Sequence, residues 1–274
     1  MSKPVAAVKK FGRNTLGRDF VVGDIHGAFD MVLEAMGKAG FNPRIDRLFS
    51  VGDLIDRGPG SHRCVRFLAQ PYVYAVRGNH EQMLLDLYAD GVPNPATIEF
   101  MAGRNGFGWW LGVPDAQRTE ILEAVARLPL AIEIDTGRGS VGLIHADVPA
   151  GVEWGEFLDR LEAGDPDAIQ ACLWGRERVN ARDTSGIAGV GRVYAGHTPQ
   201  WGGAIRLGNF YCIDSGAVFG QLGMKEGRLT MTEAIAKTGI LTAPRQSAGL
   251  IDLRVADDCA VQPFGAYAQW VSAP

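Results

Sequence analysis

The chain has no CxxC pair: its four cysteines, Cys64, Cys172, Cys212 and Cys259, stand apart. That spacing excludes a zinc ribbon and provides no disulfide framework, so free thiols are expected, with Cys172 a small buried residue. No apolar run approaches the ~20 residues of a membrane span, and Met1 to Lys10 holds charges but no stretch of signal-peptide length. A soluble, cytoplasmic protein is therefore expected. An excess of positive charge is missing too. The net charge of -4 argues against a broad nucleic-acid surface and makes nucleic acid an unexpected partner. Repeats and low-complexity tracts are also absent. With 46% hydrophobic and 21% charged residues, the 274 residues describe a globular chain long enough for one large core with insertions.

What is present is a set of histidines in short glycine-punctuated motifs. Four of the five fall there, each motif closing an apolar, strand-like run. Phe20-Val-Val leads into GDIHG (Gly23 to Gly27), Leu48-Phe-Ser-Val into GDLIDRG (Gly52 to Gly58), and Tyr72 to Val76 into RGNHE (Arg77 to Glu81). Val141 to Ile144 leads into HAD (His145 to Asp147), and Val193-Tyr-Ala into GHT (Gly196 to Thr198). The fifth, His62, belongs to no motif and reads as a surface group.

The first half alternates strand and helix, with helical spacing over Phe29 to Gly40, Ser61 to Ala69 and Glu81 to Asp90. Asp24, Asp53 and Asn79 recur at about one βαβ unit of ~30 residues, which predicts neighbouring strands with these residues at their carboxyl ends. Gly91 to Pro114 reads as irregular, and Trp109 and Trp110 within it as packing residues. A helix is expected over Asp115 to Arg127, then strands at Leu130 to Ile134 and Val141 to Ile144, then helix and loop from Gly151 to Ile187. From Arg192 to Leu229 the pattern suggests consecutive strands and hairpins. The expected fold class is α/β (α+β): two mixed sheets in a sandwich with helices outside and the site at strand carboxyl ends.

Asp24 and His26 suit a first divalent metal, and Asp53 suits a bridge to a second, completed by Asn79, His145 and His197. Two metals ~3.5–4 Å apart share a water, lower its pKa and aim the resulting hydroxide at phosphorus. Arg57 and Arg77 flank these residues as candidate phosphate clamps. His80 sits beside the metals without needing to bind one, so it suits a general acid, with Asp56 holding its other nitrogen and keeping it protonated. Glu81 is expected to open its helix near the positive N-terminal end.

In that order, GDxHG, GDxxDRG, GNHE, HA and GHT resemble the PPP family of metal-dependent phosphoprotein phosphatases. Arg77 to Asp86, Asn105 to Trp110, His145 to Pro149, Leu173 to Val179, Ala195 to Pro199 and Ile213 to Phe219 are similar to its bacterial and phage branch, typified by the bacteriophage lambda phosphatase. The resemblance runs from Phe20 to Leu229. It implies a calcineurin-like fold, hydrolysis of phosphomonoesters on serine or threonine of proteins or peptides, and small phosphoesters as further substrates. It adds Arg176 as a third phosphate-binding arginine. It also implies two divalent ions, manganese first, with iron or zinc as alternatives.

Residues 1–237 are expected to form the catalytic domain. Residues 238–274 are expected to form an extension packed on it, as a cover, an interaction segment or an added sheet edge. Symmetrical dinucleoside tetraphosphate hydrolases share much of the pattern, including the stretch Asp53 to Pro59. Asp56 separates the two, because the resemblance gives protein phosphatases an aspartate there. Nucleases of the wider group end in GHxH, where this chain has Pro199, which cannot coordinate.

Overall fold

The computed structural model describes residues 6–137, 139–234 and the backbone of 250–254. In chain order, β1 (Val8–Phe11) and β2 (Asp19–Val22) precede α1 (Phe29–Lys38) and β3 (Arg47–Ser50). A 3-10 turn at Ser61–Arg63 runs into α2 (Cys64–Leu68), followed by β4 (Val73–Ala75) and α3 (Asn79–Leu87). Next come α4 (Pro95–Ala102), a 3-10 turn at Phe107–Gly112, α5 (Asp115–Ala126), β5 (Ala131–Asp135) and β6 (Ser140–Leu143). The second half holds α6 (Trp154–Glu162), α7 (Pro166–Trp174), α8 (Glu177–Ala181), β7 (Arg192–Ala195), β8 (Ile205–Leu207) and β9 (Phe210–Cys212). It closes with α9 (Ala217–Gln221), β10 (Arg228–Glu233) and β11 (Leu250–Arg254). Among the described residues, no helix is long and apolar enough to cross a membrane.

These strands form two mixed sheets, ordered β1-β5-β6-β7-β9-β8 and β11-β10-β2-β3-β4. Each is organised around three adjacent parallel strands: β6, β7 and β9 in one, β2, β3 and β4 in the other. Strand alternation sorts the side chains into layers. Phe20 and Val22 of β2 face α1, α2 and α5, whereas Val21 faces the opposite sheet, where it joins Phe49, Ile132, Val141 and Tyr194. On the far side, Val193 and Ala195 of β7 pack with Phe157 and Leu161 of α6 and Cys172 of α7. Both faces of each central sheet are thus covered, which explains why their strands read as near-continuous apolar runs. Each fully buried Leu, Val or Phe contributes about 1.5–3 kcal/mol of transfer free energy to the sandwich. The fold class is the expected one.

Two segments differ from expectation. Gly91 to Pro114 is not wholly irregular, because Asn94 caps α4 by accepting from Thr97 N (2.9 Å) and Pro95 sits in its first turn. The stretch after Ile213 includes a helix, α9, where strands were expected: Gly216 turns the chain in the left-handed region (φ 77°) and the short apolar run Ala217-Val-Phe has no helical period of its own to betray it. The extension at 238–274 lies outside the described residues except for β11, which pairs antiparallel with β10 and lengthens that sheet by one edge strand.

Candidate metal centre

The three parallel strands of each sheet deliver their motifs to one rim. β2, β3 and β4 end just before Asp24, Asp53 and Asn79, while β6 and β7 end just before His145 and His197. Leaving a strand sharply enough to turn a side chain back over the sheet demands unusual backbone. His26, Asp53, Asp56, Arg57 and His197 all have positive φ, between 46° and 70°, and account for five of the seven non-glycine residues that do among the described residues. Such conformations cost about 1–3 kcal/mol each and persist only where the surroundings impose them. Gly196 is required for a different reason: a Cβ there would lie 1.8 Å from Asp24 Oδ1.

All six expected ligands are buried and lie together. Asp53 is the common member of two clusters with metal-ligand spacing, His26–Asp53–His80 and Asp24–Asp53–His145. Its Oδ2 is 3.3 Å from His26 Nε2, and its Oδ1 is 3.4 Å from His145 Nε2. The ring orientations fit cation binding. His26 Nδ1 faces the Ile55 carbonyl (2.7 Å) and His145 Nδ1 faces the Val51 carbonyl (2.8 Å). A carbonyl only accepts, so both rings carry their proton on Nδ1 and aim a lone pair from Nε2 into the cluster. His145 Nε2 then meets Asn79 Oδ1 at 2.8 Å, two acceptors with no proton between them. Asp24 Oδ1 and His197 Nε2 are buried without a partner among the described residues. A divalent cation would supply what these atoms lack.

Charge agrees with that role. Burial lowers the basicity of His26, His145 and His197, His197 to about 3, which leaves neutral imidazoles able to ligate. Burial alone would raise Asp53, but His145, His80 and His26 hold it well below the usual carboxylate range.

His80 is set apart. Its Nδ1 is 2.6 Å from Asp56 Oδ2, and its Nε2 is 3.9 Å from Asp53. Burial would lower its affinity for a proton, but Asp53 and Asp56 outweigh that and raise it. The arginines divide. The guanidinium of Arg57 abuts His26 Nε2, and exposed Arg176 donates to Thr198 Oγ1 (3.2 Å), beside His197. Arg77 makes a different set of contacts. Its guanidinium donates to the Ala126 and Leu128 carbonyls (3.1 and 3.2 Å) and to Gln82 (2.9 Å), which ties the end of α5 to the start of α3.

A family described as calcineurin-like phosphoesterase matches residues 20–184. The chain is 35% identical over 233 residues to serine/threonine-protein phosphatase 1 of Salmonella typhimurium, covering 84% of this chain and 98% of that one. The chain belongs to the calcineurin-like phosphoesterases. Among further relatives, serine/threonine-protein phosphatase 2 of Escherichia coli is 32% identical, over 64% of this chain and 76% of its own. The symmetrical bis(5'-nucleosyl)-tetraphosphatase of Klebsiella pneumoniae is 31% identical, over 55% of this chain and 49% of its own. A solved serine/threonine phosphatase from Saccharomyces cerevisiae shares the fold at TM-score 0.59 and 18% identity, over 93% of this chain and 86% of that one. The protein is a metal-dependent hydrolase of phosphoric monoesters, and its family together with the buried ligand clusters implies divalent metal ions.

Four further residues of this phosphoesterase support the site without having been singled out for it. Asp214 follows β9 as the other motifs follow their strands; it lies against Asp24, and burial together with Asp53 raises its carboxyl to about 6. The strand-then-Asp-Ser-Gly pattern was its signal. Glu81 does open α3, accepting from Gly78 N (2.8 Å), but its larger task is elsewhere. It also accepts from the backbone of Asp53, Leu54 and Ile55 (3.0, 2.8 and 3.2 Å), which holds the Asp53 turn. Asp147, just past His145, accepts from Arg178 N (2.9 Å) and pairs with the buried Arg178 guanidinium (3.3 Å), which fixes α8 behind Arg176. Trp109 donates its indole N–H to Asp56 Oδ1 (2.7 Å), a contact no periodicity signals.

Proposed function

We propose that the chain is a serine/threonine protein phosphatase that removes phosphate from phosphorylated proteins or peptides with two divalent cations, manganese first among the candidates. In this reading Asp24, His26 and Asp53 hold one cation, and Asp53, Asn79, His145 and His197 hold the other. Bound there, the cations lower the pKa of a water and neutralise charge on the phosphoryl oxygens. Arg57 and Arg176 bind and orient those oxygens through planar, charge-assisted hydrogen bonds. Arg77 is left out of the set because its guanidinium serves the α3–α5 junction.

His80 delivers the proton. An alkoxide leaving from serine is strongly basic and departs readily only if protonated, a task this reading gives to His80 Nε2–H, and the contact of Nδ1 with Asp56 supports it. The observation that carries the reading is this His80–Asp56 pair, since the aspartate marks the protein phosphatases in the resemblance. The likeness to bacterial serine/threonine phosphatases along nearly the whole of one relative adds support. So does a cavity of about 590 Å³ beside the rim, lined by Val179, Arg182, Thr198 and Trp201 among others, roomier than a bare phosphate needs.

A second reading, symmetrical hydrolysis of dinucleoside tetraphosphates, is favoured by the likeness to relatives of that name over about half their length. The test of the first is release of inorganic phosphate from a phosphoserine peptide by wild type and His80→Asn, each refilled with manganese. The variant is expected to retain two bound ions and lose turnover by about 10²–10⁴-fold. Undiminished turnover would remove His80 from the mechanism.

A further inference from the structure

The Phe107–Gly112 turn touches the proposed acid pair at one point, and the contact is specific. Asp56 is buried, in the left-handed region (φ 70°), with one carboxylate oxygen on His80 Nδ1 (2.6 Å) and the other on the indole Nε1 of Trp109 (2.7 Å). That indole is the sole donor to Oδ1 among the described residues. The remaining wall beside Asp56 is largely apolar, from Met83, Leu84, Leu87 and Phe107, around a void of about 10 Å³, the least that holds one water. The backbone seconds the contact. Arg57 N donates to Gly106 O (2.9 Å), and Gly106 (φ 77°) approaches so closely that a Cβ would lie 2.5 Å from the Arg57 backbone. The turn is itself anchored, since Trp110 is fully buried and donates to the Tyr88 hydroxyl (2.9 Å).

A carboxylate held at one oxygen only is free to rotate about its last bond, and the imidazole it carries follows. A second, charge-assisted hydrogen bond from a rigid ring fixes the carboxylate plane. We propose that Trp109 is a positioning residue for the Asp56–His80 pair, setting the direction in which the imidazole offers its proton to the leaving oxygen. This rests on the reading of His80 as general acid.

The readout is leaving-group dependence. A phosphoserine peptide needs the proton, whereas p-nitrophenyl phosphate expels a stable phenolate without one. Trp109→Phe keeps a ring and Trp109→Leu does not, but both remove the donor. Each is expected to lower kcat on the peptide roughly tenfold or more while changing kcat on p-nitrophenyl phosphate by less than about threefold, with KM for the peptide held. His80→Asn, run beside them, is expected to show the same skew more strongly. If His80→Asn skews and the Trp109 variants slow both substrates alike, or neither, the positioning role is overturned. If His80→Asn itself slows both alike, the acid reading fails instead.

Discussion

At the scale of single residues, the site is a place where backbone strain and burial are both accepted in return for convergence. Five side chains with positive φ sit within it, and one glutamate, Glu81, secures three consecutive N–H groups of the most central turn. Glu81→Ala is therefore expected to weaken metal binding and not only stability, because the Asp53 turn loses its buried acceptor; metal content after gel filtration measures it. Gly196→Ala is expected to do the same by a simpler route, since its Cβ displaces Asp24 Oδ1. A folded Gly196→Ala protein with its full complement of metal would show that Asp24 is no ligand. The motif residues were legible in the sequence because each follows an apolar strand and each is of a type that binds cations. Trp109 was not, because its partner lies 53 residues away and nothing local distinguishes an indole that packs from one that donates. The contacts of Arg77 were hidden for the same reason: its carbonyl partners, Ala126 and Leu128, are about 50 residues distant.

At the scale of elements, loops are held by buried or shielded carboxylates. Asp147 joins the His145 loop to α8 through Arg178, a buried pair whose guanidinium also reaches Asp183 (2.8 Å). Removing one partner of a buried pair leaves a charge stranded, so Asp147→Ala is expected to cost about 3 kcal/mol, the low end for such a break because Asp183 remains. It is also expected to raise KM, since Arg176 adjoins α8; denaturant unfolding and peptide kinetics check the two parts. Asp46 does similar work between β2 and α1. Burial alone would raise its carboxyl, but donors from Asn42 N and Arg18 N and the Arg18 guanidinium hold it below its ordinary value. A depressed carboxyl stabilises the fold at neutral pH, and that stabilisation fades as the pH falls below about 4, toward and through its lowered value. Asp46→Asn is thus expected to unfold more easily at pH 7 and to differ less from wild type at pH 3, as thermal melts at the two pH values report. The helix α1, with its periodic apolar face, was readable in advance, and α5 was readable from its extent and the stop at Pro129. The five-residue α9 was not, because it is shorter than two helical turns and owes its form to the glycine turn before it and the strand it packs on.

At the scale of the whole molecule, two half-sites meet across a sandwich. β2, β3 and β4 supply Asp24, His26, Asp53 and Asn79, and β6 and β7 supply His145 and His197, so on the proposed reading cations held between them would tie one sheet to the other. Metal removal is expected to lower the thermal midpoint of the whole domain. A ligand present at a hundred times its dissociation constant stabilises by about 2.7 kcal/mol, so a shift of several degrees should appear on chelation and reverse on refilling. The two-sheet architecture followed from the strand–helix rhythm and the motif order. The pairing of β11 with β10 did not, since nothing in the extension's sequence assigns an edge strand to a particular neighbour.

On the proposed reading, this rim releases phosphate from phosphorylated protein side chains. The most direct measurement offers a phosphoserine/phosphothreonine peptide and diadenosine tetraphosphate side by side to metal-stripped protein refilled with manganese, following inorganic phosphate and nucleoside diphosphate. Faster, manganese-dependent release of inorganic phosphate from the peptide is the predicted result. Preferential splitting of the dinucleotide into two diphosphates would contradict it and move the chain, within the same family, to the other substrate.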